Sequence, residues 1–146
     1  MKIRYALIAL TLVAGLLING CKPEPDPGPS EEEQQIEKLS KTWVPASTAS
    51  AITIAGNDVS SDWSTFTLTL GDKTYSSTSA NSAEVWPSSG TWDFLSAEEL
   101  GVMVRDNTTN ITITVTDSSL LMEFDYSTGG RVNGIEGTWR FNMVPQ

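Results

Sequence analysis

From residue 65 to residue 70 the chain alternates strictly, with Phe66, Leu68 and Leu70 at one parity and Thr65, Thr67 and Thr69 at the other. The pattern returns as Ile111, Ile113 and Val115 against Thr112, Thr114 and Thr116. Successive side chains of an extended strand point to opposite faces, so period two describes a strand with one face on a core and one in water. A helix would scatter the same apolar residues around its circumference. Threonine on the wet face keeps β propensity without exposing an apolar surface.

The same parity rule predicts further inward residues: Ile52 and Ile54, Tyr75, Trp92 and Phe94, Val102 and Val104, Leu120, Met122 and Phe124, and Trp139, Phe141 and Met143. Turn chemistry separates these runs at Gly56-Asn57-Asp58, Gly71-Asp72, Asp106-Asn107, Asp117-Ser118 and Asn133-Gly134. The last of these is a strong hairpin signal. The reading is an all-β domain over residues 31–146, with about eight antiparallel strands joined mostly by hairpins. Such strands close either as a sandwich or as an up-and-down barrel, and nearest-neighbour connections favour the barrel.

Upstream the periodicity changes. Ser30 followed by Glu33 is a capping box, and Glu31, Glu32 and Glu33 suit the positive end of a helix dipole, so a short helix is expected over residues 31–38. Ile36 and Leu39 can share one face of it and cover an end of the domain. Residues 22–30 carry a proline at every second position from Pro23 to Pro29. That spacing favours extended polyproline II at about 3.1 Å per residue, a semi-rigid acidic tether of roughly 25 Å.

Residues 1–20 have the form of a secretory signal, with Lys2 and Arg4 ahead of a largely apolar run over residues 6–18. The run is too short for a membrane span, which needs about 20 residues. It ends in Leu17-Ile18-Asn19-Gly20-Cys21, which resembles the bacterial lipobox, where the cysteine is acylated and becomes the first residue of the mature chain. The resemblance implies a lipid anchor at Cys21, with residues 21–30 as its tether. Acidic residues soon after that cysteine also resemble a surface-export signal. We therefore expect attachment to the outer membrane, with exposure at the cell surface as a further possibility.

Composition narrows the chemistry. The only cysteine is Cys21 and there is no histidine. Ser-His-Asp and Cys-His catalysis, disulfides, and imidazole or thiolate metal sites are thereby removed. No Gly-x-Ser-x-Gly elbow occurs. Without Lys2 and Arg4, seven basic side chains face eighteen acidic ones, a balance opposed to nucleic-acid binding. Asp58 with Asp62, Glu98 with Glu99, and Asp106 with Asn107 are the carboxylate groupings, and they read as solvated loop residues. We expect no catalytic residue, no metal, no cofactor and a monomer.

Gly90-Thr91-Trp92-Asp93-Phe94 returns as Gly137-Thr138-Trp139-Arg140-Phe141. With Asp62-Trp63 leading into the first alternating run, Val85-Trp86-Pro87 leading into the first of these pentapeptides, and Gly129-Gly130-Arg131 before the second, the chain resembles the lipocalin-like domain of small Bacteroidota lipoproteins. That resemblance implies a compact β-barrel in the cell envelope and no known activity. Lys41-Thr42-Trp43 stands where a lipocalin has Gly-x-Trp, with lysine replacing the glycine, and the barrel is also shorter, which argues against a roomy calyx.

Two tryptophans lie outside the alternation, Trp63 and Trp86. At a barrel mouth they can stack on a sugar or cover an apolar ligand, or they can plug the barrel end. The expected function is a non-enzymatic, lipid-anchored outer-membrane binding module that holds a small apolar molecule or glycan at one barrel end through Trp63 and Trp86. The alternative is an accessory envelope lipoprotein that meets a protein partner through its outer face.

Overall fold

The computed structural model describes residues 27–129 and 134–146. The signal sequence, Cys21, the first half of the tether and Asn133 of the hairpin signal lie outside the described residues. Helix α1 spans Glu31–Leu39 and is followed by strands β1 (Thr42–Pro45), β2 (Ile52–Ile54), β3 (Asn57–Asp58), β4 (Thr67–Leu70) and β5 (Thr74–Thr78). Then come β6 (Ser89–Phe94), β7 (Val102–Arg105), β8 (Thr109–Val115), β9 (Leu120–Tyr126) and β10 (Gly137–Pro145). Strands β4 to β10 pair antiparallel in sequence order, and β1 joins β4 to β10. The result is a closed antiparallel barrel of eight strands, the up-and-down architecture expected from the sequence.

The closing stave is broken in two. β1 pairs with the C-terminal half of β10 (Trp43 with Pro145), and β2 pairs with its N-terminal half (Ile52 with Phe141). Between them the chain leaves the ladder at Ala46 and returns at Ala51, and both residues still bond Asn142. β2 then folds back through Ala55-Gly56 into β3, and the 3-10 turn Ser60–Trp63 carries the chain across the barrel end into β4. Asp58 holds that turn, its carboxylate accepting from both the backbone and the hydroxyl of Ser60.

Helix α1 closes the opposite end. The capping box is complete: the Ser30 Oγ accepts from the Glu33 amide at 3.2 Å, and the Glu33 carboxylate accepts from the Ser30 amide at 2.7 Å. Those bonds hold the Glu33 carboxyl below its ordinary range. Three side chains then tie the segment to three successive barrel turns. Lys73 of the β4–β5 turn binds Glu32 at 2.8 Å, Gln35 donates to the Leu100 carbonyl before β7, and Lys41 donates to the Asp117 carbonyl after β8. Leu39 is fully buried, and its carbonyl accepts from the indole of Trp43. All three turns lie at one end because strands alternate in direction around an up-and-down barrel. The loops at residues 59–66, 79–88 and 106–108 gather at the far end for the same reason.

The interior contains the residues that alternation places there, with one strand reversed. Val102 and Val104 are only half-buried, while Met103 and Arg105 turn inward at 1% and 4% exposure. A two-residue turn at Asp106-Asn107 would pair Val102 with Ile111 and send both valines into the core. The observed register pairs Met103 with Ile111 and Arg105 with Thr109, so Thr108 is an extra residue in the connection. One added residue moves a strand's whole apolar set to the other face. Val115, next to the turn of its hairpin, is half-buried as well.

Candidate functional site

Both loop tryptophans are in the core. Trp63, at the end of its 3-10 turn, is 1% exposed and meets Phe66, Trp139 and Phe141 edge-on at 5.2 to 5.5 Å. Trp86 is also 1% exposed and packs on Phe66, Tyr75, Phe124 and Phe141. Between them the two indoles fill the far end of the barrel. Edge-to-face contacts of this kind add about 0.5–1.5 kcal/mol each beyond simple burial. Neither ring offers a free face for stacking on a sugar.

Around Trp86 the far end holds a cluster that parity reasoning missed. The Arg105 guanidinium lies 4.6 Å from the Trp86 ring and 5.3 Å from that of Phe124, and its Nη1 donates to the Val85 carbonyl at 3.1 Å. Burial pushes this guanidinium below its ordinary pKa. Asp106 stands at the β7–β8 turn, where Asp106 and Asn107 both have positive φ, a conformation short polar side chains tolerate. Its carboxylate reaches back over β6, accepting the Tyr75 hydroxyl at 2.6 Å and the Thr91 amide at 2.9 Å. Burial, and then the bond to Asp106, raise the pKa of Tyr75 well beyond its usual value. Only 3.9 Å separates Arg105 Nε from Asp106, too far for a hydrogen bond. The one sequence signal for this cluster was the choice between two parities in Val102-Met103-Val104-Arg105, which Thr108 decides.

The outer wall carries its own relief near the same end. The β8–β9 ladder stops at Thr112 and Glu123, although the two strands run on to Thr109 and Tyr126. The gap is a shallow polar hollow of about 560 Å³ lined by Thr108, Thr109, Asn110, Asp125, Tyr126 and Ser127. The other carboxylates singled out from sequence are not assembled into it: Asp58 accepts from the backbone and hydroxyl of Ser60, while Glu98 and Glu99 lie in the β6–β7 connection at the helix end. Comparison with protein-family models, curated proteins and solved structures finds no match for this chain.

Proposed function

We propose that this protein is a non-enzymatic, lipid-anchored accessory lipoprotein of the outer membrane that meets a protein partner through the outside of its barrel. The observation that carries the reading is the occupied interior: Trp63, Trp86, Phe66 and Phe141 fill the space a stored ligand needs. A small apolar molecule or glycan seated on Trp63 and Trp86 has less support, because both indoles are committed to the core. The lipid on Cys21 rests on the lipobox resemblance.

On this reading the tether implies an orientation. The tether joins α1, and α1 is bound to the three turns of one barrel end. With the lipid in the bilayer, that end faces the membrane and the loops at residues 79–88 and 106–108 face away from it. The polar hollow between β8 and β9 lies toward the same outward end.

Photo-crosslinking in cells tests the reading. A probe residue at Asn81 or Asn107 is expected to capture one defined partner in stoichiometric yield, and a probe at Glu37 on the helix end is not. Equal, diffuse labelling from both ends, together with a small molecule that copurifies at one equivalent, would refute it.

A further inference from the structure

Strands β8 and β9 separate before either of them ends. Their ladder runs from Val115 and Leu120 to Thr112 and Glu123, and the next hydrogen-bonded register, Asn110 with Asp125, is not made. Neither strand is frayed there. β8 stays paired to β7 as far as Thr109, and β9 stays paired to β10 as far as Tyr126. The gap is therefore a fixed notch in the barrel wall, each side held by the strand behind it. Ile113 shows which way the β8 backbone turns, since its amide donates to the Gly101 carbonyl on the β7 side. Successive residues of a strand alternate in this respect, so the amide and carbonyl of Asn110 face the notch. Its side walls are open to solvent: Asn110, Thr112, Glu123, Asp125 and Thr138 are exposed, and Tyr126 is half-buried.

The hollow of about 560 Å³ occupies this notch, and a second depression of about 140 Å³ adjoins it beside Thr112, Glu123 and Thr138, sharing Asn110 and Asp125 with the first. The larger is within the range of about 300–1,000 Å³ typical of small-molecule sites. Its lining selects the ligand. Two carboxylates and no lysine or arginine oppose an anion. Among the described residues no three metal-ligating side chains come together. A peptide strand needs a longer free edge, because the wall closes again at Thr112 and Glu123. Hydroxyls, the Asn110 amide and the carboxylates suit a molecule that carries donors and acceptors side by side, as a sugar does. Asp125 is already oriented by the Thr138 hydroxyl, which donates to its Oδ1. We propose that the notch between β8 and β9 binds a neutral oligosaccharide, one ring against Tyr126 in the larger hollow and the next in the smaller. The Tyr126 ring supplies apolar surface for the C–H face of the sugar. The site lies on the barrel wall, apart from Trp63 and Trp86. It goes beyond the partner reading and fails separately from it, since crosslinks from Asn81 can persist when no sugar binds.

The test is NMR titration of the full chain in a detergent without a sugar headgroup, following the Asn110 side-chain amide and the backbone amides of Asp125 and Tyr126. Maltotriose, mannotriose and tri-N-acetylchitotriose are the probes. At least one is expected to shift these signals saturably at millimolar concentration. It should bind at least tenfold more tightly than its own monosaccharide, which cannot reach both depressions. Asn110→Ala is expected to weaken that binding at least tenfold, read at Asp125 and Tyr126. Thr114→Ala, exposed on the same strand beyond the notch, should leave it unchanged. Unshifted signals from the barrel core verify the fold of each variant. A saturable response to none of the three sugars, an equal response to glycerol, or equal losses in the two variants overturns the proposal. So does binding of an acetylated and amidated tetrapeptide in place of the sugars, which would make the notch a peptide site.

Discussion

The hydroxyl of Tyr75 donates a 2.6 Å hydrogen bond to the carboxylate of Asp106, joining β5 to the β7–β8 turn across the intervening strand β6. The bond passes over Gly90. A methyl group there would stand 2.1 Å from Asp106 Oδ1 and 2.7 Å from the Tyr75 ring. The glycine is therefore required for space, and the Gly-Thr-Trp echo has two distinct causes, since Gly137 instead adopts φ +136°. In both copies the tryptophan indole donates to a backbone carbonyl, Trp92 to Thr74 and Trp139 to Ile135.

Gly90→Ala is expected to destabilise the domain by about 3 kcal/mol, the upper range for forcing a group into a packed site. Gly101→Ala, whose new methyl would find its nearest neighbour at 4.0 Å, is the control and should be close to neutral. Thermal denaturation distinguishes them, because about 1 kcal/mol moves the midpoint by roughly 4–8 °C in a domain of this size.

Tyr75→Phe removes the donor and leaves Asp106 held by Thr91 alone. A hydrogen bond to a charged group contributes about 1.5–3 kcal/mol, reduced here to about 1 kcal/mol because Asp106 is one-third exposed. Urea unfolding should show that loss with an unchanged denaturant slope. A destabilisation above about 3 kcal/mol would mean that the ring itself had repacked.

Trp63→Ala should cost about 3–5 kcal/mol, since the indole is enclosed by Phe66, Trp139 and Phe141. Leu95, 46% exposed, should tolerate alanine to within about 0.5 kcal/mol. Guanidinium denaturation of the two variants tests whether Trp63 belongs to the core or merely covers it.

Lys73 bridges Asp93 and Glu32, each at 2.8 Å, and its ammonium holds the Asp93 carboxyl below its usual range. A depressed carboxyl pKa contributes stability above the unfolded value and loses it as pH falls through the folded one. The raised pKa of Lys73 acts in the opposite direction, its contribution being lost only in strong alkali. Hydrogen exchange in α1 should therefore be slower in the native chain than in Asp93→Asn at pH 6, and the difference should shrink as the pH falls below the ordinary carboxylate range and Asp93 protonates.

Cys21→Ser should release the chain from membranes in folded form. Retention of that variant in the pellet after carbonate washing would remove the lipid anchor from the account.

Most of the architecture was legible because it rests on local chemistry. Alternation in β4, β8 and β10 assigns each residue a face without reference to any neighbour, and the capping box at Ser30 and Glu33 starts α1 within one turn. The far-end cluster was not legible for the complementary reason. In Val102-Met103-Val104-Arg105 either parity is self-consistent, and hydrophobicity favours the two valines.

By itself, then, the sequence determined an antiparallel β domain with a helix at its start, since strand period, turn residues and caps act over a few residues. Tertiary structure decided what fills the barrel. Pairing to Ile111 and Thr109, displaced by the single residue Thr108, turned Arg105 inward. Closure of β1 on β10 confined Trp63 and Trp86 to the core rather than the surface. Register and closure depend on residues far apart in the chain, and no local pattern encodes them.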